Sequence, residues 1–324
     1  MTNFLKYSKI IKGGNMKHLL NHEKHYITFN NYLKDRFGHK VFRISLNAGF
    51  TCPNRDGTKS NLGCIYCSEK LSGDFAGNQL DSFKTQFEDG LKLMNQKWEK
   101  GTYIAYLQAG TNTYSDIATL RKTYEEIISL NNDIEVLSIA TRPDCITSEI
   151  VDLLDSINKK CEVWVELGFQ TMHESTSILI NKCYTNSDFE SAMKLLSDKK
   201  IKVIAHIING LPFETKDMMV ETAKYLNKFN LFGLKIHMLH IMKNTPLENI
   251  YLKNPFHVLT LEEFVDITTT QLRYINTNTV IHRLTGDAPK DLLIEPLWTL
   301  KKFIVLNEID KHMRKNIIFQ GDLC

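Results

Sequence analysis

The chain has 324 residues, 43% apolar and 24% charged, and a net charge of +3. That length suits one large domain or two small ones, and the balance is that of a soluble globular protein. No apolar run approaches the roughly 18 residues of a membrane span, and the basic start has no apolar segment or cleavage site, so no secretory signal is read and a cytoplasmic location is expected.

In chain order, a basic N-terminal extension, residues 1–40, comes first. It holds seven Lys and one Arg against Glu23 and Asp35, a net of +6, which leaves −3 for the remainder. Such an arm is either a solvated tail or a phosphate-contacting segment, because Lys and Arg gain affinity by releasing counterions. Met16 is a second candidate start, which would leave 1–15 outside the native chain.

Residues 41–46 read as a strand and 80–97 as a helix. Strand 103–108 leads to a helix over 116–130, with Ser115 placed to cap it. Strand 135–141 leads to a helix capped by Thr147 and running to 158. Cys161 opens strand 163–169 and reads as a small core residue. The next helix begins at the capping box Ser187-Asp-Phe-Glu190. Strand 202–208 precedes a helix over 215–228. Strand 234–241 precedes a second box, Thr260-Leu-Glu-Glu263, and a helix to 274. A last strand, 279–283, is followed by a helix over 296–315.

Strands alternating with helices make βαβ units and a parallel sheet. Successive units without a break in composition predict an α/β fold, a partial (β/α)6-type TIM barrel over 41–290, with a C-terminal helical segment, 291–324, packed on it. An open doubly wound sheet is the competing architecture. Neither a Gly-x-Gly-x-x-Gly nor a Gly-x-x-x-x-Gly-Lys motif occurs, so a dinucleotide-binding or P-loop reading has no support.

Seven cysteines are present, an odd number, and in a cytosolic protein they are more often metal ligands or catalytic groups than disulfides. Cys145, Cys161, Cys183 and Cys324 are scattered. Cys52, Cys64 and Cys67 cluster directly after the first strand, on what would be the C-terminal face of a barrel, where active sites sit. Gly49, Pro53, Gly57 and Gly63 mark the segment as a shaped loop. Three thiolates suit a 4Fe–4S cluster with one iron open, since the usual protein cluster takes four. The alternative is structural zinc, with a nearby His such as His39 as fourth ligand.

The pattern Cys-x11-Cys-x2-Cys, with Tyr66 inside the final pair, resembles the radical S-adenosylmethionine (SAM) superfamily with a lengthened first spacing. Asn47-Ala-Gly-Phe-Thr-Cys-Pro-Asn-Arg-Asp-Gly57, Gln108-Ala-Gly-Thr-Asn-Thr-Tyr114, Ala140-Thr-Arg-Pro-Asp144, Glu166-Leu-Gly-Phe-Gln170, His206-Ile-Ile-Asn-Gly-Leu-Pro212 and Lys235-Ile-His-Met-Leu-His240 resemble the bacterial YtqA/YhcC group, related to the radical SAM part of the elongator catalytic subunit. The resemblance implies a 4Fe–4S cluster on Cys52, Cys64 and Cys67, SAM as cofactor, and a 5′-deoxyadenosyl radical. That chemistry is the cofactor's, and the protein positions it.

Each phrase ends a strand. By resemblance the end of strand two binds the SAM amino group, which points to Gln108, Gly110 and Thr111; a plain βα turn accounts for such residues as well. Tyr66, Glu166 and Gln170 face SAM or substrate by resemblance, and Gly210-Leu-Pro212 resembles the loop on the adenine side. A carboxylate inside a parallel strand is costly unless used or paired. Arg142 either pairs a carboxylate bidentately or braces its loop through Asp144. His206 reads as a satisfied core residue. Lys235 and His237 share one face by period 2, with His240 on the other; with Arg142, they are the candidate catalytic residues. His282, Arg283 and Asp287 are candidates for the substrate side, and Tyr66, Tyr106 and Tyr114 for quenching a product radical.

The implied substrate is tRNA, because the elongator subunit acts on C5 of the wobble uridine. This sequence ends soon after its last strand, without an acetyltransferase domain, so carboxymethyl transfer from acetyl-CoA is not expected. Conversion of a carboxymethylaminomethyl group to aminomethyl is the expectation, with Arg142 or Lys235 holding the carboxylate. tRNA and an electron donor such as flavodoxin or ferredoxin are the expected partners, with no membrane. The alternatives are radical chemistry on a small metabolite or peptide, and a zinc-stabilised RNA-binding module.

Overall fold

A computed structural model describes residues 24–95 and 101–324. Lys6, Lys9, Lys12 and Lys17 of the basic arm lie outside the described residues, as does the end of the helix expected over 80–97. The elements are α1 (Phe29–Phe37), β1 (Val41–Leu46), α2 (Phe83–Asn95), β2 (Thr102–Leu107), α3 (Ile117–Ser129), β3 (Ile134–Thr141), α4 (Ser148–Asn158), β4 (Glu162–Gln170), α5 (Glu174–Leu179) and α6 (Asn186–Asp198). They continue with β5 (Lys202–Asn209), α7 (Lys216–Leu226), β6 (Gly233–Met238), β7 (Ile241–Met242), α8 (Pro246–Lys253), α9 (Leu261–Arg273), β8 (Val280–Arg283), β9 (Leu293–Glu295) and α10 (Lys302–Lys315).

Seven strands form one parallel sheet in the order β1-β2-β3-β4-β5-β6-β8, while β7 and β9 pair separately and antiparallel. The order follows the chain without the reversal that defines a doubly wound sheet, so that alternative falls. The sheet curls into a partial barrel: Arg43 on β1 reaches across to within 3.5 Å of Glu166 on β4. Period 2 divides every strand. Ile44, Leu46, Ala105, Leu107, Leu137, Ile139, Val165 and Leu167 point outward into a continuous core with the helices. Their alternates point inward and are stacked in layers.

The lowest inward layer is apolar. Val41, Ile104, Val136, Trp164 and Ile204 pack there against Leu33 of α1. Helix α1, within the expected N-terminal extension, thus plugs the barrel; Phe29 and Tyr32 set their ring edges against Trp164, at 5.9 and 6.4 Å. It also seats the chain against the far edge strand, where Ile281 N donates to Ile27 O at 2.8 Å. Fully burying each such side chain contributes about 1.5–3 kcal/mol.

Four local expectations shift. Asp116, not Ser115, caps α3, accepting from Thr119 N. The capping box of α6 is Thr185 with Asp188, two residues earlier than expected, because that pair completes both reciprocal bonds. Strand β6 stops at Met238, and Ile241 joins β7 instead. The stretch expected as one helix over 296–315 is a 3-10 turn, Leu297–Leu300, followed by α10. Thr147 caps α4, and Thr260 with Glu263 makes the capping box of α9, as expected. Among the described residues no helix is long and apolar enough to cross a membrane.

Candidate active site

The loop after β1 carries the three clustered cysteines, and all three line one large cavity at the C-terminal mouth of the strands. The loop is held by its own polar side chains. Buried Asn54 donates to Asn181 O at 2.6 Å and approaches Cys64 Sγ at 3.6 Å. Arg55 donates to Cys67 O at 2.7 Å and Ser68 O at 3.1 Å. Gly63, at φ 72°, donates to Asn54 O at 2.6 Å. The three thiols are mutual electrostatic neighbours: burial raises the Cys64 thiol to about 12, Cys67 and Cys52 push the same way, and Arg142 opposes. None of them is in a disulfide.

Two further loops lock onto this one. Gly110, at φ 76°, lets its backbone pass directly over the Phe50 carbonyl, where a Cβ would collide. Thr111 N donates to Thr51 O at 3.0 Å, and Gln108 Nε2 to Ser72 O at 2.9 Å. Arg142 grips Asp144 bidentately at 3.0 and 2.9 Å, donates to Lys182 O at 3.2 Å and Cys183 O at 3.4 Å, and reaches Cys52 Sγ at 4.0 Å. Its guanidinium also covers the Tyr184 ring at 4.7 Å. With its fork committed in this way, Arg142 is not placed to hold a substrate carboxylate; it braces the loop and touches one of the thiols.

Below the cysteines lies a charged layer contributed by almost every strand. Glu166, fully buried, accepts from Ser138 Oγ and His206 Nε2, both at 2.8 Å, and is paired with Lys235. Arg43 and Lys235 flank the Tyr106 ring at 4.7 and 4.8 Å. Burial alone would raise the Glu166 carboxyl, but Lys235, Arg43 and His206 outweigh it and hold the group ionised, well below its usual range. Burial pulls Lys235 down to about 7 against the attraction of Glu166, with Arg43 and Arg283 adding to the fall. Burial keeps His206 down at about 4, and lowers His237 and His282 as well, so these rings are neutral near pH 7.

The cavity has a volume of about 1760 Å³. It brings together Cys52, Cys64, Cys67, Tyr66, Gln108, Gly110, Thr111, Arg142, Glu166, Gln170, Lys235 and His237. Gln170 sits at φ 69° where the β4–β5 register shifts, a strained backbone that turns its amide back over Gly168. Gly210 and Pro212 do not themselves line this cavity; Gly210 packs toward Leu259 and Leu239, of which Leu239 does line it, and Pro212 is buried. Tyr114 bonds Thr58 at 2.8 Å and does not line the cavity, whereas Tyr66 and Tyr106 do. His206, expected as plain core, lines the site as a partner of Glu166. His240 also faces the cavity, because β6 has ended and period 2 no longer applies. His282, Arg283 and Asp287 line it from the β8 side.

Arg43 is a cavity-lining residue that sequence reading missed. Its signal was a lone cation inside the apolar strand Val41–Leu46, the same anomaly that singled out Glu166 and Lys235. The zinc alternative loses its fourth ligand: His39 precedes β1, at the far end of the strand from the cysteines, and bonds Thr102 Oγ1 at 2.9 Å. Among the described residues no three His, Cys, Asp or Glu side chains are grouped to hold a single metal ion.

Residues 56–226 match the Radical SAM superfamily, and residues 232–315 match the Radical_SAM C-terminal domain. The chain belongs to the radical SAM superfamily. YtqA of Bacillus subtilis, an uncharacterized protein, is 44% identical over 301 residues, 93% of each chain. A tRNA uridine(34) acetyltransferase of Methanocaldococcus jannaschii is 25% identical over 200 residues, 59% of this chain and 36% of that one. Among solved structures, Elp3 of Methanocaldococcus infernus superposes with a TM-score of 0.63 at 17% identity, over 86% of this chain and 64% of that one, which establishes the shared partial-barrel fold.

Radical SAM proteins use a 4Fe–4S cluster and SAM, and the residues present fit both. Three free thiols of one loop line the cavity; burial disfavours the bare thiolates of Cys64 and Cys67, so a bound cationic centre is what would keep those two deprotonated. Gln108, Gly110, Thr111, Gln170 and Tyr66 surround the space next to them.

Proposed function

We propose that this radical SAM protein remodels the C5 side chain of the tRNA wobble uridine, converting a carboxymethylaminomethyl group to aminomethyl. The observation that carries the reading is the cavity. At about 1760 Å³ it exceeds the roughly 300–1,000 Å³ of an ordinary small-molecule site, which leaves space for a nucleotide beside SAM. Enzymes that work on a base commonly take it out of its stack into such a pocket. The printed activity of the M. jannaschii relative, on uridine 34 of tRNA, supports the same substrate class.

When bound, the cluster and SAM supply a carbon-centred radical able to take a hydrogen atom from the methylene beside the carboxylate. This chain's residues do the rest. The apolar cluster around Trp164 packs α1 against the lowest layer of the strands, beneath the charged layer. Arg142 and Asn54 fix the cysteine loop, so the reacting centre is held in one place. Neutral His206 and His237 line the approach without adding charge. An external donor such as flavodoxin or ferredoxin would supply the one electron that SAM cleavage needs; the substrate radical would give up one electron to become an imine, and water would hydrolyse it, breaking the C–N bond to leave the aminomethyl group and release the two-carbon fragment as glyoxylate.

The test is mass spectrometry of tRNA nucleosides from cells with and without the gene. Accumulation of 5-carboxymethylaminomethyl-uridine, with loss of aminomethyl forms, is the expected result. An unchanged profile under conditions where the gene is expressed would remove tRNA as the substrate and favour a small metabolite or a peptide.

A further inference from the structure

Arg43 is the least satisfied cation of the cavity. It lies over the rings of Phe29 and Tyr106, at 5.1 and 4.7 Å, and its Nη2 stands 3.5 Å from Glu166 Oε1. Yet Nε and Nη2 are buried and have no hydrogen-bond partner among the described residues. The side chain keeps 23% of its surface, and it lines the cavity. A guanidinium carries five donors in a rigid fork, and leaving them unmade in a buried place is costly.

The surrounding groups cannot supply what Arg43 lacks. Glu166 is sealed, at 0% side-chain exposure, and its oxygens already take Ser138, His206 and Lys235. Arg43 and Lys235 bring two positive charges against that one carboxylate. From the other strands, Tyr106 faces the pair as a phenol, His206, His237 and His282 as neutral rings, and Arg283 shares Asp287 with Lys302, at 2.5 and 3.2 Å. Around Glu166, with Lys235 protonated, the described residues therefore carry one positive charge more than they carry negative. His282 adds two ring nitrogens, and His240 one, that are buried without a hydrogen-bond partner among the described residues.

We infer that Arg43 and Lys235 form a seat for a single carboxylate at the floor of the cavity, and that this seat selects substrates carrying a carboxylate next to the reacting carbon. One excess charge matches a carboxylate better than a phosphate dianion. The inference deepens the reading of this cavity as a radical SAM site, and it holds whether the carboxylate is carried by tRNA or by a smaller molecule.

The experiment titrates reconstituted, SAM-bound enzyme with carboxyl-¹³C N-methylglycine, N-methylglycinamide and inorganic phosphate, followed by NMR line broadening and equilibrium dialysis. Saturable binding of N-methylglycine, with neither the amide nor phosphate binding comparably, is expected. Arg43→Gln should weaken that binding roughly ten-fold or more, and Arg43→Lys should restore part of it. SAM affinity should be the same in all three proteins. Equal binding of acid and amide to the wild type overturns the seat without reliance on any variant, and so does undiminished binding by folded Arg43→Gln. A parallel fall in SAM affinity also overturns it, because the seat would then hold SAM's own carboxylate. If N-methylglycine binds as expected while tRNA nucleosides are unchanged in the gene deletion, the seat stands and the tRNA assignment falls.

Discussion

Replacing Glu166 by Gln tests whether one carboxylate organises the barrel interior. Gln keeps the size and can still accept from Ser138, but the negative charge between Lys235 and Arg43 is gone. Breaking a buried pair from one side costs roughly 3–5 kcal/mol. At about 2–4 °C per kcal/mol for a long chain, melting should fall by roughly 10 °C. Lys235→Met should cost less, because Glu166 keeps Arg43, Ser138 and His206. The double variant restores the wild-type excess of one positive charge, so it should be more stable than Glu166→Gln alone, with a coupling above about 1 kcal/mol. Scanning calorimetry of the three anaerobically prepared proteins reads all of this. Glu166→Gln within about 0.5 kcal/mol of wild type, or a double variant as unstable as the sum of the singles, would refute the keystone role of Glu166.

Lys235 sits at about 7, down from 10.5, so it is charged below that value and neutral above it, faced by Glu166, Arg43, Arg283, His206 and Tyr106. A carboxylate ligand stays ionised throughout, so N-methylglycine affinity should fall between about pH 6 and about pH 8, read by the same titration. For stability the sign is opposite: between the folded and unfolded values the unfolded chain binds more protons, so this group's contribution rises with pH. Arg142→Lys loses the bidentate hold on Asp144 and the reach to Cys52, so iron release to a chelator should quicken while secondary structure by circular dichroism is kept. Gly110→Ala meets both the positive φ and the Phe50 carbonyl, so it should lower stability by about 2 kcal/mol or more and weaken SAM binding in equilibrium dialysis.

Most of the fold was legible because period 2 and capping chemistry are local. β1 falls on the expected residues 41–46, and Thr147 and Thr260 cap helices where their side chains predicted. What sequence missed is tertiary. Helix α1 has a weak pattern of its own and is justified by Trp164, more than a hundred residues later in the chain. The end of β6 at Met238 is set by where β7 finds β9, so the face of His240 could not be assigned by counting. Gly210 and Pro212 follow a strand end as the other motifs do, with Gly210 packed on Leu259 rather than lining the cavity.

The same contrast explains why the cysteines and the charged layer differ in legibility. The cysteines announce themselves by spacing, because one loop must bring all three together. The charged layer is assembled from β1, β2, β3, β4, β5 and β6, one inward residue from each, and no stretch of sequence contains it. Its only local trace is a polar side chain where period 2 calls for an apolar one, as at Arg43, Ser138, Glu166, His206 and Lys235. In a parallel strand covered on both faces, each such residue costs burial energy and is kept only if partnered. Ser138, Glu166, His206 and Lys235 partner one another. Arg43 shares Glu166 at 3.5 Å but leaves Nε and Nη2 without a hydrogen bond among the described residues, and an anion in the cavity would complete it.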